Sequence, residues 1–190
     1  MNAFMTRSLR ITASARQLLA GSAVQRALVA LVLLAAAMQA PAQTGLQADF
    51  VKHLTTSRDF TLKVAEAMPA ADYGFKLTPQ QMSFAGQMIH LSQGLGYFLL
   101  PFSGQEANPG KPKSESKEDV VAFVRKSFDD AIATVGKLTP EQLTKVYKTE
   151  GGSGTGTDFL LGMLDHTTHH RASAEMYLRA KGITPPEYQF

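Results

Sequence analysis

Between residues 46 and 181 apolar residues recur at helical spacing, interrupted by capping residues and prolines. Over residues 46–68, Phe50, Phe60 and Val64 share a face with the small Ser57, and His53 falls within it. Met68-Pro69 closes this helix, because a residue before proline is pushed out of the α region. Residues 70–77 (AADYGFKL) read as a loop whose two aromatics plug the end of a bundle. Thr78-Pro79-Gln80-Gln81 predicts the start of a second helix, with a capping Thr, Pro at the first position and Gln at the third. It is expected to run to Leu100, where Pro101 stops it. A Gly-, Pro- and Lys-rich loop follows, and Ser116 caps a third helix with Glu118 and Asp119 in its first turn. Val121, Val124, Phe128, Ile132 and Val135 form its stripe. Thr139-Pro140-Glu141-Gln142 begins a short helical turn, and residues 150–156 (EGGSGTG) read as a flexible linker. Thr157 or Asp158 caps the last helix, which runs to Lys181 with Gly182 as a left-handed stop and Pro185-Pro186 beyond. No alternating strand pattern and no internal repeat appears. The pattern predicts an all-α fold, an up-down antiparallel four-helix bundle or its variant with a long crossover.

The first forty or so residues follow another logic. Arg7, Arg10, Arg16 and Arg26 form a basic leader without acids, residues 27–37 (ALVALVLLAAA) are an unbroken apolar run, and Ala40-Pro41-Ala42 places small residues where a signal peptidase reads. The apolar run is short of the roughly 20 residues a membrane-spanning helix needs. The expectation is a signal peptide over residues 1–42, cleaved after Ala42, then one domain over residues 43–190. The mature protein is then periplasmic or secreted, with no stable membrane insertion.

That division changes the charge picture. The leader carries four of the 19 Lys and Arg and none of the 16 Asp and Glu, so the remaining chain has 15 basic and 16 acidic residues, a net charge of −1. The chain's basic character belongs to the leader and is no argument for nucleic-acid binding. About 148 residues suffice for one domain with a full core. With no cysteine, disulfides, thiolate ligands and a thiol nucleophile are excluded.

The chemistry concentrates in Asp165-His166-Thr167-Thr168-His169-His170-Arg171, which holds three of the five histidines. His166 and His170, four apart on a helix, stack one turn above each other, the spacing with which two imidazoles grip one metal ion. Phe159, Gly162, Ser173 and Tyr177 share their face, while Arg171 and Glu175 point away and are spaced to pair. His169 lies at the edge and is the rival ligand, three residues from His166. On the second helix, His90 is surrounded by Ser83, Gly86, Gln87, Gln93, Gly94 and Tyr97, an unusually small and polar set that leaves room for a ligand. The residues thus propose His90, His166 and His170 as three neutral imidazoles on a divalent ion. The competing reading makes the histidines hydrogen-bonded core residues, as expected for His53.

Several sites are excluded. Thr167 stands where a zinc peptidase of the HExxH type has its glutamate base. No ExxH pairs occur for a ferritin-like di-iron centre, no nucleophile elbow is present, and GGSGTG neither follows a strand nor contains Lys, so it is no phosphate loop.

Ala65-Glu66-Ala67-Met68-Pro69, Tyr73-x-Phe75-Lys76-x-Thr78-Pro79, Ser83-Phe84 and His90 resemble the DinB superfamily. So do Asp165-His166, His170-Arg171, Tyr177-Leu178-Arg179 and Lys181-Gly182-Ile183-x-Pro185-Pro186, and the likeness spans residues 46–187. The resemblance implies a four-helix bundle with an embedded divalent metal, zinc or nickel, held by His90, His166 and His170. It also implies homodimers, and for some relatives thiol-dependent transfer or isomerisation.

Two functions follow as expectations. One is a metal-dependent hydrolase or transferase of unidentified substrate, with Gln87, Tyr97, Ser173 and Tyr177 orienting a small molecule. The other is a non-catalytic periplasmic carrier of a metal or small ligand.

Overall fold

The computed structural model describes residues 23–103 and 110–189, with side chains from Gly45 onward. Contacts divide the chain between Thr44 and Gly45, and the second unit carries everything below. The expected leader falls on residues 1–22, outside the described residues, and on residues 23–42, where only a helical backbone is described. Among the described residues no helix is long and apolar enough to cross a membrane.

The fold is an all-α bundle. Its elements are α1 (Ala23–Ala67), a 3-10 turn (Ala70–Asp72), α2 (Phe84–Ser103), α3 (Lys117–Val135), the short α4 (Pro140–Thr144), strands β1 (Val146–Thr149) and β2 (Gly152–Thr155), and α5 (Gly156–Ala180).

Contacts give the helix directions. Gln47 Nε2 donates to the carbonyls of Val135 and Leu138, Arg58 pairs with Asp129, and Lys117 Nζ donates to the carbonyls of Glu66 and Met68, so α1 and α3 are antiparallel. Tyr177 reaches Met82 while Gly162 abuts Phe98, so α2 and α5 are antiparallel as well. Both α2 and α3 begin at the end of the bundle where α1 stops, since Tyr73 joins the Ala65 carbonyl to the ring of Phe84. The four long helices therefore run up, down, down, up. This is the crossover variant rather than simple alternation, and the loop before Lys117 is the crossover.

The loop aromatics close the bundle end as expected. Tyr73 is buried, donates from its hydroxyl to the Ala65 carbonyl at 2.7 Å, and meets Phe84 edge-on, while Phe75 meets Tyr177 edge-on. This loop also moves the start of α2. Thr78-Pro79-Gln80-Gln81 makes one isolated turn, with the Gln81 N–H on the Thr78 carbonyl, and α2 begins only at Phe84. There the N–H groups of Phe84 and Ala85 donate to the carbonyls of Phe75 and Tyr73, and Ser83 Oγ accepts from Gly86 N–H. A helix starts where its orphan donors find acceptors, and the folded loop supplies them at Phe84. At the other end Pro101 lies inside α2, which continues to Ser103. In a last turn proline costs a single backbone hydrogen bond.

Ser116 caps α3 as expected, accepting from Asp119 N–H. The stripe it buries is Val120, Val124, Phe128, Ala131 and Val135, with Val121 and Ile132 only partly covered. Residues expected to be a linker instead form an antiparallel hairpin, Val146 opposite Thr155 and Thr149 opposite Gly152. Its second strand, Gly-Ser-Gly-Thr, has no alternating apolar side chains, so the period-two signal of a strand is missing. The hairpin also shifts the cap of α5. Thr155, not Thr157 or Asp158, is the N-cap, and Asp158 returns its carboxylate to the Thr155 N–H at 2.7 Å in a capping box. Gly182 adopts φ 74° just past α5, as expected of its stop.

Candidate metal centre

The seam between α2 and α5 places the histidines. His90, His166 and His170 converge so that one ligand nitrogen of each lies within 4.8 Å of the other two. Nε2 of His166 stands 3.3 Å from Nε2 of His90. The ring centroids of His90 and His166 lie 5.1 Å from each other and 4.5 Å from that of His170. His169 is exposed, outside the cluster, with its ring edge-on to His170 at 4.8 Å. The helix-wheel reading thus places His166 and His170 together, and the second-helix reading brings in His90.

Each ring is held by a neighbour. His170 Nδ1 is 2.8 Å from Gln87 Oε1, so the amide oxygen accepts the Nδ1 proton and leaves the Nε2 lone pair for another partner. His166 packs its Cε1–Nδ1 edge against the α2 backbone at Gly94, where a Cβ would stand 2.2 Å from Cε1. Phe98 flanks the same ring at 5.8 Å and in turn needs the bare backbone of Gly162 on α5. The small residues on the two facing helices are what let the imidazoles interleave.

This donor set fits a divalent ion. Imidazole nitrogens on tetrahedral zinc, with bonds of about 2.0–2.1 Å, stand about 3.3 Å apart, the spacing of His90 and His166. His166 Nδ1 is the one buried side-chain nitrogen or oxygen without a hydrogen-bond partner among the described residues. The cluster contains no carboxylate.

Burial and repulsion from neighbouring imidazoles push His170 down to about 4, and burial with the same kind of repulsion lowers His166. Both rings are thus neutral at pH 7, the form that offers lone pairs. In metal-free protein the sign is clear. Between the unfolded value of 6.5 and about 4 the unfolded chain binds the extra proton, so stability falls as pH drops through that window and is flat above it. Chemical denaturation of chelator-treated protein between pH 4 and 7.5 checks this, and a midpoint independent of pH below 6.5 contradicts it.

Gln87, expected to orient a substrate, is placed with its amide oxygen on Nδ1 of His170. Gln87→Leu is expected to weaken metal binding by roughly 10- to 100-fold, the usual effect of losing such a partner. Competition with a chromophoric chelator measures it.

None of the other three expected substrate contacts has a described hydrogen bond to a ring of the cluster. Tyr177 donates to the Met82 carbonyl at 2.6 Å, and Ser173 Oγ donates to the His169 carbonyl at 2.9 Å. Tyr97 is exposed and lines a cavity of about 320 Å³ with Phe98, Phe159 and the hairpin residues 151–154. This cavity meets the cluster through Phe98, and its hairpin wall was invisible in a glycine-rich sequence.

Arg171 is also placed differently from expectation. Instead of pointing outward to pair with Glu175, it is buried against α1, donating to Ser57 Oγ at 2.8 Å and lying over the Phe60 ring at 4.6 Å.

The structure thus defines a helical bundle with a three-histidine, metal-compatible cluster at the partly exposed seam between α2 and α5. Residues 38–190 match the DinB family, and the chain belongs to it. A DinB-like protein of Bacillus subtilis is similar in structure, with TM-score 0.63 and 26% identity, covering 74% of this chain and 98% of its own. A DinB-like protein of Bacillus cereus has the same fold, with TM-score 0.65 and 18% identity, covering 74% of this chain and 95% of its own. No curated protein matches the chain.

Proposed function

We propose that this chain is an exported DinB-family metalloprotein in which His90, His166 and His170 hold one divalent ion, zinc or nickel, for hydrolysis or group transfer on a small molecule. The observation that carries the reading is the convergence of three imidazole nitrogens, with an amide fixing one ring and a bare helix backbone seating another. A bound ion supplies Lewis acidity, making an O–H or S–H nucleophile more acidic and polarising an acceptor group. The protein's own part is positional. Gln87 holds the proton on Nδ1 of His170, Gly94 and Phe98 flank the His166 ring, and the open, largely apolar cavity beyond Phe98 offers a substrate an approach. Export rests on the basic leader, the apolar run and the small residues before Gln43, with the domain over residues 43–190 working in the periplasm or outside the cell. Self-association into a homodimer belongs to the same proposal.

The all-histidine cluster favours one second reading, a non-catalytic carrier of a metal or small ligand, because no carboxylate stands ready as a general base. Elemental analysis of protein purified without a histidine tag tests the metal site, and about one equivalent of zinc or nickel per chain is expected. Metal-free protein that also fails to take up either ion contradicts the site. Turnover of hydrolase or thiol-transfer substrates that chelation abolishes separates enzyme from carrier.

A further inference from the structure

On the side of α5 that faces α1, a cation is buried whose described anionic neighbour, Glu175 one turn along the helix, acts on it only from beyond ion-pair distance. Arg171 is 5% exposed, yet among the described residues no carboxylate lies within ion-pair distance of it. Its described polar partners are two neutral hydroxyls, Ser57 Oγ at 2.8 Å and Thr168 Oγ1 at 3.4 Å, and the Phe60 ring stacks on it. A guanidinium carries five N–H donors in a planar fork suited to oxyanions. Arg171 lines the crevice beside Ser57 and Thr168, and among the described residues none of its guanidinium nitrogens is buried without a partner. That crevice, about 130 Å³, is lined by His53, Thr56, Thr168, Tyr188 and Gln189 as well as Ser57 and Arg171, mostly polar groups. It is several times the roughly 30 Å³ that one water occupies in the liquid.

Burying a charge without an opposite charge is costly, and a chain that only needed to fill this space has cheaper side chains for it. We propose that the crevice between α1 and α5 binds a small oxyanion, a carboxylate or phosphate group, with Arg171 as its charged anchor and the hydroxyls of Thr56 and Thr168 as neighbouring donors. The site is independent of the metal. His170 faces α2 and Arg171 faces α1, so adjacent residues serve the two sides of one helix.

The test is thermal unfolding of the full chain against inorganic phosphate and, separately, acetate, with ionic strength held constant by sodium chloride, with and without chelator. A saturable rise in Tm of roughly 2–6 °C is expected at about ten times the Kd, in both the presence and absence of chelator. Arg171→Met is expected to abolish it. Because that variant removes a buried side chain, Thr168→Glu is the second arm. A carboxylate at this exposed position supplies the missing charge, and is expected to raise Tm without added anion and to remove the anion response. An anion response lost on chelation places the anion on the metal and overturns the proposal. So does a response equal to that of chloride, or one that survives in Thr168→Glu.

Discussion

Gly94→Ala is expected to abolish metal binding without replacing any of the three histidines. The added methyl would stand 2.2 Å from Cε1 and 2.3 Å from Nδ1 of His166, so either the imidazole swings away or α2 and α5 separate. Both movements break the three-nitrogen convergence. Two stability effects oppose each other. Overpacking costs about 1–3 kcal/mol, while replacing glycine by alanine within a helix returns about 1 kcal/mol. Overpacking is expected to win because the ring is flanked by Phe98 and by the α2 backbone at Gly94. The expected result is a metal content near background and a Tm lower by a few degrees. A double-mutant cycle isolates the cause. In a His166→Ala background the clash is gone, so Gly94→Ala should be neutral or stabilising by up to about 1 kcal/mol. If the alanine is equally harmful in both backgrounds, His166 is not what Gly94 accommodates.

His90→Ala is expected to separate metal retention from folding. His90 is half-buried, and its described contacts are the rings of His166 and His170. Its removal leaves no large cavity and relieves crowding among three imidazoles, so in chelator the variant should unfold within about 0.5 kcal/mol of the parent, as for most substitutions away from the core. With zinc or nickel present the two proteins should diverge. The parent gains stability by binding an ion that the unfolded chain does not bind, and the variant keeps only the two histidines of one helix. Its loss of affinity should exceed the roughly 10- to 100-fold expected on removing an outer partner such as Gln87. Metal content and metal-dependent Tm, measured on both proteins, decide it. An unchanged metal content in His90→Ala would falsify the assignment.

Those two variants also mark how far the sequence could be read. The period of the apolar residues was enough to give an all-α bundle, and the i, i+4 spacing of His166 and His170 was enough to put both rings on one side of α5. The small residues around His90 signalled that something had to fit there, and Gly94 is where it does. What periodicity could not carry was anything decided by groups distant in sequence. The Thr78-Pro79 signal is a valid helix start, yet α2 begins at Phe84 because the carbonyls of Tyr73 and Phe75 arrive there only in the folded chain. The glycine-rich segment pairs as a hairpin through backbone alone, leaving no side-chain pattern to read. Spacing offers Arg171 a partner one turn away in Glu175, but its short hydrogen bond goes to the hydroxyl of Ser57, 114 residues earlier.

The separation of His90 and His166 by 76 residues has a bearing on how an ion would be acquired. Before α5 docks on α2, the chain offers at most the His166–His170 pair, a weak chelate with little preference among metals. The third donor arrives only with the finished tertiary structure, so an ion held by all three would enter after folding rather than guide it. The identity of the ion is therefore set by the supply in whichever compartment the chain completes its fold. For a chain that crosses a membrane unfolded, that supply is the one on the far side, whatever the ribosome's surroundings contain.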